Sequence, residues 1–240
     1  MIEAFAWGAI GASALLVGAL IAYAMTPSTK LIAVVMALGA GLLIGSVSFE
    51  LIDDALESSD VGVVGAWTLV GAFAFAAGDW WLARRGAGDR KDSGGSQEDG
   101  SPLAIVFGSV LDGVPESFVL GLTVMQGGVS VALLVGILLS NLPEGLSSSS
   151  GLRIAGWPRA RVVRMWALVV VVSAVSAALG YALLDPASGR TGAAAQGFAA
   201  GALLAMIADT MLPEAYDVEG VGTGPLVAIG FAASLMLSAI

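Results

Sequence analysis

The 240-residue sequence has no cysteine and no histidine. Without cysteine it forms no disulfide, and without both residues it lacks the thiolate and imidazole ligands that dominate zinc sites. A Ser–His catalytic pair is excluded for the same reason, and no other nucleophile–base pair of a hydrolase stands out. We therefore expect a protein that is not an enzyme and that uses no organic cofactor.

Charged residues are also scarce: they make up 12% of the chain, against 57% hydrophobic residues. An ordinary soluble domain has about 25% charged residues. So few polar groups cannot cover a soluble fold, whereas a bilayer accepts apolar runs of about 20 residues. The 33 glycines suit helices that pack closely in a membrane. The composition predicts an integral membrane protein, whose partner is the lipid bilayer and not a nucleic acid.

Apolar runs separated by polar, glycine or proline residues predict eight membrane-spanning helices in a single all-α transmembrane domain, residues 1–240. A segment rich in glycine, serine and charge predicts a flexible cytoplasmic loop at 84–101. Spans 4 and 5 are joined by four residues, so they must form an antiparallel hairpin. The predicted spans are 6–25, 31–52, 61–83, 102–124, 129–150, 162–184, 193–214 and 222–240.

Nine of the ten basic residues fall on one side of this predicted topology, and Arg190 falls on the other. Basic loops are retained in the cytoplasm. We therefore expect a multi-pass protein of the cell membrane with both termini on the extracellular or periplasmic side. The sequence leaves the oligomeric state open, with a homodimer as one alternative.

Two segments, 40–55 and 200–215, align without gaps at a spacing of 160 residues. They fall in spans 2 and 7, which cross in opposite directions. Inverted repeats of this kind occur in many transporters whose binding site lies at the repeat interface near the bilayer midplane. The alignment predicts three helices, a central pair and three further helices (3+2+3); chance alignment of Ala/Gly/Leu-rich helices is the alternative.

Carboxylates near the middle of spans 4 and 5 are the most informative feature. A carboxylate at a helix centre costs roughly 2.5–3.5 kcal/mol on insertion scales, so it persists where it pairs, faces a cavity or binds a cation. Asp112 and Glu116 share one face of span 4, and Ser140 and Glu144 share one face of span 5. A proline directly before each glutamate frees a backbone carbonyl. This pattern favours an ion pathway; protonated, hydrogen-bonded structural carboxylates are the other interpretation.

The segment Asn-Leu-Pro-Glu-Gly at 141–145 resembles the His-Asn-x-Pro-Glu-Gly signature of the ZIP (Zrt/Irt-like) metal transporters. Asp112–Ser117 resembles that signature more distantly. Leu212–Ala215 and Glu50–Ala55 resemble the ends of the family's seventh and second helices. The resemblance implies eight helices, outward termini and transport of divalent metal ions of the zinc, iron and manganese class into the cytoplasm.

The resemblance also implies a binuclear metal site between spans 4 and 5. Asp112 and Ser140 stand where the family has histidines, so every remaining donor is an oxygen. Oxygen donors suit Mg, Ca and Mn better than zinc, although zinc accepts carboxylates. The residues implied at the two ions are Asp112, Gly113, Glu116, Ser140, Asn141 and Glu144.

Asp209 is a further candidate carboxylate of the pathway, since it stands beside Thr210, where the family often has a carboxylate. The replaced histidines keep a second class of function open: a ZIP-like membrane protein that binds ions as a sensor or interaction partner without moving them. The predicted metal-binding set is Asp112, Glu116, Ser140, Asn141, Glu144 and Asp209.

Overall fold

The computed structural model describes residues 1–25, 28–84, 102–183 and 189–239. The described residues form helices and no strand, which confirms the predicted all-α class. Of the predicted loop at 84–101, only Arg84 belongs to the described residues. The α-helices are α1 (Ile2–Ala24), α2 (Thr29–Ser46), α3 (Asp53–Ser58), α4 (Val61–Leu82), α5 (Pro102–Gln126), α6 (Val131–Ile154), α7 (Arg159–Leu183), α8 (Arg190–Met206), α9 (Leu212–Glu219) and α10 (Thr223–Leu237).

Seven helical stretches of the described chain are long and apolar enough to cross a membrane. The outer surface is apolar as well: on α4 the large side chains of Trp67, Leu69 and Phe73 are exposed. A soluble monomer rarely exposes a continuous apolar surface of this kind. Length, composition and surface therefore agree with the predicted membrane class. The last of the seven stretches, Arg190–Leu237, has 48 residues and contains two of the predicted spans.

This last stretch folds back on itself at Gly220, whose φ of +58° ends α9. Glu219, just before the break, lies 4.0 Å (Oε1 to Nζ) from Lys30 near the start of α2. Ser238, just after α10, donates a hydrogen bond of 3.0 Å to Glu50, twenty residues further along the α2 stretch. The start of α10 therefore lies near the start of the α2 stretch, and the end of α10 lies near its end. Helix α10 thus runs parallel to α2.

Helices α2 and α8 both continue into a π-helical turn, Val47–Ile52 and Ile207–Met211. The two turns begin 160 residues apart, the spacing at which the sequence segments align. A hydroxyl bonds back to a carbonyl four residues earlier in both places, Ser48 to Ile44 and Thr210 to Met206. The two segments that resemble each other in sequence therefore share the same local irregularity.

The long helices pack in two groups of four. In the first group, α1 packs on α6 and α7, and α5 packs on α7; in the second, α2 packs on α10, and α4 packs on α8. The two π turns connect the two pairs of the second group: the turn after α2 touches α8, and the turn after α8 touches α2. Contacts of α2 with α6 and of α5 with α8 join the groups. The central helices α5 and α6 thus belong to one packed group.

Four helix pairs approach closely through a glycine on both partners. A Cβ atom added at Gly71 of α4 would collide with the backbone of Phe198, and one added at Gly201 of α8 would collide with the backbone of Thr68. Apolar helices in lipid gain no hydrophobic drive from association, so close backbone packing has to supply the attraction. The reciprocal pairs are Gly18 with Gly145, Gly41 with Gly230, Gly71 with Gly201, and Gly121 with Gly180.

Replacing Gly71 by alanine should push α4 away from α8, because the added methyl group has no space beside Phe198. We expect a loss of about 1–3 kcal/mol, typical of overpacking, measured as a lower apparent Tm in detergent. Gly65→Ala on the same helix is the matched control, since a Cβ there has nothing within 4 Å. It should be neutral or slightly stabilising, because alanine is the better helix former. Equal effects of the two substitutions would contradict the packing argument.

Candidate functional site

Five of the six residues predicted to bind metal lie buried near the middle of α5 and α6. Asp112, Glu116, Ser140, Asn141 and Glu144 are each between 2% and 6% exposed. The two helices contain no basic residue before the last turn of α6. Carboxylates this deep in an apolar bundle are retained where they pair, protonate or meet a cation. The burial expected of an ion site is therefore present.

A hydrogen bond between Ser140 and Glu116 joins the two central helices at this level. The Ser140 hydroxyl donates to Glu116 Oε1 at 2.9 Å, and it also lies 3.0 Å from the carbonyl oxygen of Ile137. Elsewhere α5 and α6 touch little, because α5 packs mainly on α7 and α6 packs mainly on α1 and α2. The other buried candidates lie within about one helical turn of this bond along their helices. The bond marks the height at which candidate residues of both helices meet.

Pro143 leaves one backbone carbonyl without its helical hydrogen bond at the contact between α6 and α2. Because a proline has no N–H, the carbonyl of Leu139, four residues earlier, loses its helical donor. The backbone of Leu139 packs directly on Gly39 of α2, where an added Cβ would lie 3.1 Å from the Leu139 oxygen. The freed carbonyl is thus covered by a neighbouring helix. The sequence did not point to Gly39, since its contribution is the absence of a side chain.

Helix α1 fixes the position of Asn141. The amide nitrogen Nδ2 of Asn141 donates to the carbonyl oxygen of Gly11 at 3.2 Å. This assignment directs the nitrogen to α1 and makes Oδ1 the atom of Asn141 with which a cation would interact. Sequence reasoning missed the role of Gly11, because a backbone acceptor gives no signal in residue type.

Ser109 extends the buried polar face of α5 and was not among the sequence candidates. It is buried, and its Oγ has no hydrogen-bond partner in the part of the chain that the structure describes. Ser109, Asp112 and Glu116 are spaced by three and four residues, so they share one face of the helix. That spacing would have identified Ser109 from the sequence.

Asp209 is not part of the buried cluster. It is exposed on the second π turn, whereas its neighbour Thr210 is buried and donates its hydroxyl to Met206 at 2.7 Å. The structure thus gathers five of the six predicted residues and leaves Asp209 outside. A role for Asp209 on the route to or from the site stays a prediction.

The donors that meet directly are few. Among the described residues, no group of three or more aspartate or glutamate side chains is arranged to hold a metal ion. A catalytic zinc site, by comparison, uses three protein ligands and one open position. A cation between α5 and α6 would therefore need hydroxyl, amide or carbonyl oxygens beside the carboxylates. The chemistry of the donors fits a hard divalent cation, while their described arrangement is a hydrogen-bonded one.

No family model matches the chain, and no curated protein matches its sequence. The resemblance to the ZIP transporters therefore depends on the motifs at 112–117 and 141–145 and on the helix ends quoted above.

Substituting Ser140 by alanine should destabilise the protein, because it leaves the buried Glu116 without the hydroxyl donor. Removing the donor of a buried hydrogen bond costs about 1–3 kcal/mol, which thermal unfolding in detergent would detect. Ser150→Ala is the matched control: this buried serine of α6 bonds the carbonyl of Leu146 in its own helix. A smaller effect at Ser140 than at Ser150 would show that the bond between the helices contributes little.

Proposed function

We propose that the protein carries divalent metal ions across a membrane into the cytoplasm, as a ZIP-like transporter. The observation that supports this most is the burial of Asp112, Glu116 and Glu144 at the middle of two proline-containing helices. Three carboxylates of like charge repel each other strongly at low dielectric. A bound divalent cation would offset that repulsion. A purely structural role would give no reason to bury three carboxylates at the middle of these helices.

The chemistry of the donors favours hard cations. Carboxylate, hydroxyl and amide oxygens are the ligands that Mg, Ca and Mn prefer, whereas zinc and iron sites more often include nitrogen or sulfur. We propose that manganese is accepted at least as well as zinc. Serine and aspartate at positions 140 and 112 would shift selectivity in this direction relative to histidine.

We further propose eight membrane crossings in a 3+2+3 order with an inverted repeat. The packing supports it. In an inverted repeat, α1, α2 and α4 correspond to α7, α8 and α10, and α5 corresponds to α6. The α2–α10 contact then corresponds to the α8–α4 contact, and the α1–α6 contact corresponds to the α7–α5 contact. All four contacts are present. The equal position of the π turns and the reversal at Gly220 are two further observations in its favour.

Two ion pairs support the proposed orientation. Arg190 lies 3.7 Å (Nη2 to Oδ2) from Asp60 at one end of the bundle, while Lys30 and Glu219 meet at the other end. The end with Lys30 also carries the basic loop between α6 and α7, where Trp157 accepts a hydrogen bond from Tyr23 near the end of α1. This end is therefore proposed to face the cytoplasm. Both termini then lie on the outer side of the cell membrane.

The two helix groups suggest which parts move. The group of α1, α5, α6 and α7 carries all five buried candidates, and the group of α2, α4, α8 and α10 packs beside it. A transporter that exposes a fixed site alternately to the two sides moves one rigid group against the other. We propose that the site-bearing group moves as a unit, with the α2–α6 and α5–α8 contacts as the sliding surfaces.

The test is uptake of Mn, Zn, Fe(II), Co and Cd by liposomes that contain the purified protein. Glu144→Gln should abolish metal-dependent flux, because it removes a charged ligand without changing the shape of the side chain. Changes even in the second shell of metal sites cost about 10–100-fold, so we expect at least that loss. Glu57→Gln on the exposed helix α3 is the control and should keep the wild-type rate. Equal flux in both variants would remove the proposed site.

A second candidate function is ion sensing or partner binding without transport. The specific observation in its favour is that the described carboxylates do not form a group of three arranged for a metal. Saturable binding of metal in calorimetry, lost in Glu144→Gln, together with no flux in liposomes for any of the five metals, would establish this function instead.

A further inference from the structure

An apolar groove runs along α5 on a different face from Asp112 and Glu116. It consists of two adjoining cavities of about 460 and 450 Å³, which share Val114, Pro115 and Phe198. One wall is α5, and the other is formed by α4 and α8. The groove therefore separates the site-bearing helix group from the second group.

The length of the groove follows from its wall on α4. Trp81 lines one cavity and Trp67 the other, fourteen residues apart on one helix, which corresponds to about 21 Å at 1.5 Å per residue. Apart from Thr191 and the two tryptophans, the described lining side chains carry no polar atom. An acyl chain of one leaflet needs about 15 Å, half of the hydrocarbon thickness of a bilayer. The groove is long enough for one such chain.

The corresponding contact in the other half of the bundle is closed. There, α2 meets α6 through Gly39 against the backbone of Leu139 and through Gly136 against Leu43. At the related place between α8 and α5, the structure has the open groove. The α2–α6 contact is thus closely packed, whereas the related α5–α8 contact leaves an open groove beside it. In a bilayer another molecule has to fill this groove.

A cation suited to a lipid phosphate lies beside one end of the groove. Trp81 and Leu82 line that end, and Arg84 follows within one helical turn. The guanidinium carbon of Arg84 stacks over the ring of Trp80 at 3.9 Å. Trp80 precedes Trp81 and does not itself line the groove, so the charge lies beside the end of the groove. Tryptophan with an adjacent arginine is the composition found at the membrane–water interface. Basic residues there attract anionic lipids by about 1 kcal/mol each.

We propose that the groove binds one acyl chain of an anionic phospholipid whose phosphate lies at Arg84. The chain fills the space beside the limited contact between α5 and α8, and it sets the distance of α5 from α4 and α8. The binding itself is independent of metal transport; the proposed orientation enters only in assigning the lipid to the cytoplasmic leaflet.

The test measures the lipid that co-purifies with the protein, by native mass spectrometry in mild detergent and by lipid extraction. Ala74→Phe fills the groove from an exposed position on α4. Ala77→Phe, three residues further on the same helix, is exposed and outside the lining, so it is the matched control. Ala195→Phe, in the other cavity, is a second filling variant should Ala74→Phe fold poorly.

We expect about one tightly held phospholipid per wild-type chain, retained in Ala77→Phe and lost in the filling variants. Arg84→Gln should keep a lipid but reduce the preference for anionic over zwitterionic phospholipid about fivefold, the factor that corresponds to about 1 kcal/mol. Equal retention in Ala74→Phe and Ala77→Phe, or no retained lipid in the wild type, would overturn the proposal. Crosslinking of a second copy of the chain into the groove would overturn it too, and an unchanged lipid preference in Arg84→Gln would overturn the headgroup assignment.

Discussion

Close backbone contact at paired glycines is the constraint on which the arrangement of the helices depends. In a bundle whose surfaces are apolar inside and outside, lipid competes with every helix contact, and only packing that lipid cannot reproduce holds two helices together. The pair of Gly18 and Gly145 fixes α6 on α1, and it thereby sets the place of Asn141 against the carbonyl of Gly11. Gly39 does the same for α6 on α2. The position of the candidate site is thus a result of residues that have no side chain.

The buried carboxylates oppose the stability that this packing provides. Residues with charge or polarity at membrane depth have a cost that the fold must offset through hydrogen bonds, protonation or a bound cation. The bond from Ser140 to Glu116 is one such compensation, and it links α5 directly to α6 at the site. A group that is both hydrogen-bonded and able to ligate can exchange one partner for the other. Under the proposed function, the same residues would hold the bundle together and would release and accept an ion.

The sequence predicted the features that residue type determines. The scarcity of charge indicated a membrane protein, and the position of Asp112, Glu116 and Glu144 near the middle of apolar spans indicated their burial. The structure agrees with the first and places all three inside. It could not predict the grouping of α5 and α6 with α1 and α7, since chain order does not specify which helices pack. Nor could it place Asp209, because a π turn changes which residues of a helix face inwards. The contribution of Gly11 comes from a backbone atom, which every residue has.

The two π turns have a consequence for the history of the molecule. A π turn accommodates one more residue than an α-helical turn, so it corresponds to a single-residue insertion in a regular helix. Two such insertions at the same place, in segments that run in opposite directions through the bundle, are simplest to explain by one event. If the two halves descend from one ancestral gene, that gene already carried the inserted residue before it was duplicated. The irregularity would then be older than the single-chain bundle, and the first protein to use it would have been an assembly of two separate, oppositely oriented chains.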